Sequence, residues 1–236
     1  MHGVGSRNKL TPSHARHYPG DGLLDVLGRA LCTIGCLPRK ELHEAFELAT
    51  RVRRVFPRGR VVDLCCGQGL VAWCMLLLGD DERDTALAVD VHLPANHGRV
   101  ENAVVAAFPQ LAGRVTFTQA RLQEVPLNHD DIVVSAHACG DLSDDVLARA
   151  VAASARVAVM PCCHRTRRRE DLASLSDVED RALRIDQERV AALRARGLMV
   201  WTPSIPPEVS PKHRLIVAAP HHTVVDRETA ATLVCW

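Results

Sequence analysis

Short apolar, β-branched runs recur along this chain, and stretches with helical periodicity separate most of them. The runs cover residues 60–65, 85–91, 114–119, 131–137, 156–161, 198–202 and 213–219. Helical patterns occupy 68–79, 94–108, 142–154 and 177–196. Strands alternating with helices predict an α/β fold, a doubly wound, mostly parallel seven-stranded sheet. Right-handed crossovers would put helices on both of its faces. Only the Pro-rich loop 203–211 joins the last two runs, which predicts an antiparallel hairpin at one sheet edge. Upstream, 21–56 reads as two helices broken near Pro38, 1–20 as a flexible polar N-terminus, and 57–236 as the main domain.

Composition removes some functional classes. Of the 236 residues, 47% are hydrophobic, enough for one sizeable core. A formal net charge of +1 argues neither for nor against a nucleic-acid partner. No run of about eighteen apolar residues occurs, so no membrane span is expected. The N-terminus lacks the apolar core of a signal peptide. Nine unevenly placed cysteines in such a chain fit a reduced, cytoplasmic setting better than a disulfide framework.

The first strand runs into a glycine turn and then a helix: "GRVVDLCCGQGLVAW", Gly59 to Trp73. In sheets of this kind ligands bind beyond the carboxyl ends of the strands, at the switch point of strand order. Glycine there lets the backbone approach a ligand closely. Gly67-Gln68-Gly69 followed by Ala72 approaches a dinucleotide fingerprint, and the same residues suit any tight strand-to-helix turn. The next strand ends in Asp90, whose carboxylate could accept hydrogen bonds from two ribose hydroxyls. Asp63 puts negative charge where a phosphate binder would avoid it. A ligand with an ammonium and a sulfonium and no phosphate fits both carboxylates, so S-adenosylmethionine is favoured over NAD.

Four segments, "VVDLCCGQGLVAW", "VSAHACGDLSD", "VAVMPCCHR" and "SPKHRLIVA", together resemble a family of class I S-adenosylmethionine-dependent methyltransferases. That family is related to the methyltransferase domain of glutathione S-transferase C-terminal domain-containing protein. "LPRKELHEAFELATRVRR" resembles its helical lead-in, and the likeness spans roughly residues 37–220. His213 departs from the asparagine common at that position. The resemblance implies a Rossmann-like methyltransferase domain with S-adenosyl-L-methionine as cofactor. It places Asp63, Cys65, Gly67 and Gly69 at the methionine end of the cofactor, Asp90 at its ribose, and the backbone of Arg121 and Leu122 at its adenine. Ser135 to His137 would lie under the cofactor at the end of the fourth strand.

Cysteine and histidine cluster at three strand ends: Cys65 and Cys66, His137 and Cys139, and Cys162, Cys163 and His164. The strand order of such sheets brings these ends to one rim. Three readings stay open there. The thiols could be close packing. Cys139 or Cys162 could attack a pyrimidine, with His164 lowering a thiol pKa. They could hold zinc, although adjacent cysteines spread over separate strands lack the C-x-x-C spacing of zinc sites, and no metal is expected on that ground. His137 is the candidate general base, with Asp141 to orient it.

No Asn/Asp-Pro-Pro-aromatic motif follows the fourth strand, which argues against methylation of an exocyclic amine. The stretch "CCHRTRRRE", with Arg165, Arg167, Arg168 and Arg169, offers phosphate contacts, and "RVRRVFPRGR", Arg51 to Arg60, could extend the same basic rim or form the outer face of a helix. RNA (tRNA or rRNA) is therefore the leading acceptor, with no obligate protein partner evident. Protein and small-molecule acceptors, or a non-catalytic cofactor- or metal-binding module, remain as alternatives.

Overall fold

A computed structural model gives the architecture and describes residues 8–136, 138–164, 169–172, 174–175, 177–223, 225 and 236. Seven strands, β1 (Val61–Leu64), β2 (Ala86–Asp90), β3 (Val115–Gln119), β4 (Ile132–Ser135), β5 (Arg156–Val159), β6 (Leu198–Trp201) and β7 (Ile216–Pro220), form one sheet in the order β3-β2-β1-β4-β5-β7-β6. Strands β1 to β5 are parallel, and β7 lies antiparallel between β5 and β6. The order reverses between β1 and β4, so the switch point falls beside the Cys65–Gly69 turn.

Among the described residues six α-helices cover the sheet: α1 (Leu23–Cys32), α2 (Arg39–Val55), α3 (Leu70–Leu77), α4 (His97–Ala107), α5 (Leu142–Ala152) and α6 (Val178–Ala195). Alternation along the strands divides the core in two, because successive side chains leave opposite faces. Val61, Ile132 and Val134 join the helices α1 to α4 on one face. Val62, Val133 and Val157 join α5 and α6 on the other. Leu70 to Leu76 of α3 are all buried, since that helix lies between the sheet and α2.

Pro38 caps α2 with an extended backbone, and Leu42, Ala45, Leu48, Ala49 and Val52 follow as one buried stripe at helical spacing. At 1.5 Å per residue the 17 residues of α2 extend for about 25 Å, from the carboxyl rim of the sheet to its opposite edge. Residues 8–20 differ from the flexible tail expected. Leu10 and Tyr18 are buried, Pro12–His17 form a 3-10 turn, and the Tyr18 hydroxyl lies 3.2 Å from His43 Nε2. Among the described residues no helix is long and apolar enough to cross a membrane.

Candidate active site

The β1 turn holds three residues with positive φ: Cys65 at 60°, Gly67 at 52° and Gly69 at 75°. A cysteine there is strained by about 1–2 kcal/mol, and strain of that kind concentrates at functional sites. Hydrogen bonds fix the turn. Gly67 N–H donates to Asp90 Oδ2 at 3.0 Å, Cys66 N–H to the Val89 carbonyl at 3.0 Å, and Gly69 N–H to the Cys66 carbonyl at 2.8 Å. The other Asp90 oxygen accepts the His92 N–H at 3.1 Å. One carboxylate thus joins β2 to the β1 turn.

Three cavities follow the carboxyl rim. One of about 660 Å³ is lined by Cys65, Asp90, His92, Gln119, Arg121 and Glu124 among others. A second, of about 420 Å³, shares Cys65 and Asp90 with it and adds Glu41, Gly67 and Gln68. A third, of about 260 Å³, lies at the β5 end and is lined by Lys40, Glu41, Glu44 and Cys162. Glu41 on the first turn of α2 borders both the second and the third.

Most of the expected cofactor residues stand on these walls: Cys65, Gly67, Asp90, Arg121 and Leu122. Asp63, Gly69 and Ser135 line none of the three. Asp63 is fully buried beneath α3, where Oδ2 accepts the Ala72 N–H at 3.2 Å. Burial there pushes its carboxyl up to about 8. That burial disfavours the charged form, and the carboxyl lies away from the three cavities in place of the cation-facing position expected. Gly69 packs under Phe117; a Cβ would stand 2.6 Å from that ring. With the positive φ as well, Gly69→Ala is expected to cost about 1–3 kcal/mol, which a thermal melt would reveal. Ser135 is buried, and its hydroxyl has no partner among the described residues.

Of the expected catalytic residues, Cys139 and Cys162 meet, with their Sγ atoms 3.0 Å apart. Asp141 caps α5. His137 lies outside the described residues, as do Arg165, Arg167 and Arg168. His164 does not address the thiols as expected. Its Nε2 is 2.7 Å from Asp186 Oδ1, and both side chains are buried. Burial pushes the Cys65 thiol up to about 11, with Asp90 and Asp63 adding to the shift. The Cys139 and Cys162 thiols are raised too, chiefly by burial.

The basic stretch 51–60 is not part of this rim. Arg53 is buried against Asp84 at 3.2 Å, and Arg60 pairs with Asp131 at 2.7 Å, both at the opposite edge of the sheet. Sequence reasoning missed Glu41, His92, Gln119 and Glu124. Glu124 stands in the loop after β3, where its carboxylate accepts the Arg121 N–H at 3.0 Å. Its only sequence signal is the spacing of three between Arg121 and Glu124.

A family of methyltransferase domains matches residues 40–170, more than half of the sequence. The chain belongs to that family. It is an S-adenosylmethionine-dependent methyltransferase. Solved structures share its fold. An O-methyltransferase family protein from Burkholderia thailandensis superposes with a TM-score of 0.50 at 14% identity, over 89% of this chain and 63% of that one. A Corynebacterium glutamicum protein gives 0.51 at 15% identity, over 89% and 97%. The mitomycin 7-O-methyltransferase gives 0.50 at 15% identity, over 89% and 60%. This methyltransferase thus spans less than two thirds of the first and third of these proteins. No curated protein matches its sequence.

The residues at the turn suit this donor. Its chain neighbours apart, no atom of the described residues lies within 4 Å of where a Cβ on Gly67 would stand, so the backbone is open to the cavity. Asp90 presents a carboxylate, and the buried Oε1 of Gln68, on the wall of the second cavity, has no hydrogen-bond partner among the described residues. Two of the twelve described residues lining the first cavity, His92 and Arg121, could carry positive charge, and none of those lining the second could. That lining fits an uncharged ribose and a cationic methionine better than a diphosphate.

Proposed function

We propose that this methyltransferase binds its donor across the two cavities joined at Cys65 and Asp90, and meets its acceptor at the third, beside Cys162. The continuity of wall residues along the rim carries this reading: Asp90 and Cys65 border two cavities, and Glu41 leads from the second to the third. When bound, the donor supplies an electron-poor methyl group on its sulfonium. The chain's own residues orient and shield it. Two backbone N–H groups lock the Asp90 carboxylate, leaving its remaining lone pairs for the ribose hydroxyls. Gly67 exposes backbone to the cofactor, and the Arg121–Glu124 turn closes its adenine end. His137, two residues beyond β4, is the proposed general base.

Asp90→Ala removes those charge-assisted hydrogen bonds and should weaken binding of S-adenosylmethionine or S-adenosylhomocysteine by about 1.5–3 kcal/mol. Calorimetry measures this directly. Unchanged affinity in the variant would take the ribose role from Asp90.

RNA is the proposed acceptor. The support is the order of residues after β5: the chain leaves the rim at Cys162–His164 and continues with three arginines within the next four positions. Arg169, just beyond, is engaged by Asp171 and Glu188. A protein or small-molecule acceptor is the second reading, favoured by the carboxylates of Glu41 and Glu44 at the third cavity. Transfer of tritium from labelled cofactor into fractionated cellular RNA and protein separates the two. Label in RNA that ribonuclease releases is expected; label confined to protein or to small molecules would overturn the RNA assignment.

A further inference from the structure

Strands β4 and β5 are parallel neighbours in register, Ser135 beside Val159, so the loops that follow them leave the rim side by side. Gly140 N–H donates to the Cys163 carbonyl at 2.7 Å and fastens one loop to the other. This places Cys139 from the first loop against Cys162 and Cys163 from the second. The Sγ atoms of Cys139 and Cys162 are 3.0 Å apart, those of Cys162 and Cys163 are 3.8 Å apart, and all three lie within 4.8 Å of one another.

Three sulfurs about 2.3 Å from a common tetrahedral centre would lie roughly 3.8 Å apart. The Cys162–Cys163 separation already has that value, and Cys139 needs to withdraw by less than 1 Å. Sequence spacing hides such a site, because its ligands come from two strands and one adjacent pair. Each loop is also held from behind. Arg189 Nη2 donates to the Gly140 carbonyl at 3.2 Å and its Nε to Asp144 at 2.7 Å, while Asp186 anchors His164, next to Cys163. Partners of this kind orient metal ligands in known sites.

We propose that Cys139, Cys162 and Cys163 form a three-thiolate site for a thiophilic cation of the zinc class. Its fourth position is open, and the cavity that Cys162 lines with Glu41 has room for a fourth ligand. Binding would release the three thiol protons to solvent and leave a site with net charge −1. With the cation bound, neither Cys139 nor Cys162 is a free nucleophile, so the site competes with covalent attack on a pyrimidine. The proposal is independent of which acceptor the enzyme uses.

Cobalt(II) titration of the metal-stripped, phosphine-reduced full-length protein tests it without any activity assay. One equivalent is expected to produce a near-ultraviolet thiolate-to-cobalt charge-transfer band that zinc then abolishes. The Cys139→Ser/Cys162→Ser/Cys163→Ser variant should lose the band, and Cys36→Ser should keep it. If the triple variant does not fold, Cys163→Ser alone, at an exposed position, should weaken cobalt binding at least tenfold. No band in the wild type, a band that survives in the folded triple variant, or undiminished affinity in Cys163→Ser would overturn the site. So would a Cys139–Cys162 disulfide that persists under reductant and blocks uptake.

Discussion

Asp186→Ala is expected to destabilise the protein by about 3–5 kcal/mol, the usual cost of removing one partner from a buried ionic cluster. Asp186 is completely buried in α6. Its Oδ1 lies 2.7 Å from His164 Nε2 and 3.2 Å from Arg189 Nη1, and its Oδ2 accepts from Arg214 Nε at 3.0 Å. Both arginines are themselves buried. Among the described residues, alanine would leave each with one half-exposed carboxylate as its charged partner, Asp144 for Arg189 and Glu179 for Arg214. It would also strip the buried His164 imidazole of its hydrogen-bond partner among the described residues. Asp186→Asn keeps an acceptor while removing the charge, so a smaller loss is expected from it. Urea unfolding should show a lower midpoint at unchanged slope. A loss under about 1 kcal/mol in the alanine variant would mean that water enters the cluster and replaces the carboxylate. The same substitution should loosen the loop behind Cys163, because His164 is the link between that loop and α6.

This cluster also marks where sequence reading stopped. His164, Asp186, Arg189 and Arg214 come from a loop, a helix and the approach to β7; in the sequence His164 reads as a neighbour of the thiols, and the other three as ordinary polar residues. Nothing local distinguishes a charged residue on the inner face of α6 from one facing water. The strands and helices were legible for the opposite reason. Buried parallel strands are nearly continuous apolar runs, and Pro38 and the glycine turn mark boundaries by backbone chemistry. The meeting of Cys65, Cys139 and Cys162 at one rim follows from strand order alone. Of the two readings of Arg51 to Arg60, the helix holds as far as Val55, and the span of α2 rules out the rim: a helix about 25 Å long that begins at the rim with Glu41 must end at the far side of the sheet. Asp63 was read as facing a ligand because it ends a strand before a glycine turn. Alternation puts it on the same face as Val61, which is the face that α3 covers.

That burial leads to an expected pH dependence. The Asp63 carboxyl has an ordinary value of 3.8 and is pushed up to about 8 in the folded protein, first by burial and then by the Asp90 carboxylate, against the opposing Ala72 N–H. Between these values the folded state holds a proton that the unfolded chain has lost. The contribution of Asp63 to stability is therefore full below pH 3.8, declines as pH rises, and is gone above about 8. Within the window the slope approaches about 1.4 kcal/mol per pH unit for this one group. His43, lowered to about 4 by burial, acts in the opposite sense: its contribution is lost as pH falls from 6.5 towards 4. Total stability mixes the two, so the informative quantity is the difference between wild type and Asp63→Asn. The amide has no proton to lose, and its oxygen can still accept the Ala72 N–H. Unfolding free energies measured from pH 4 to 8 should show the variant gaining on the wild type at each step. A difference that stays constant across that range would mean that Asp63 is ionised in the folded protein at neutral pH. The negative charge expected from the sequence would then stand under the turn after all, with Ala72 N–H at the start of α3 as its partner.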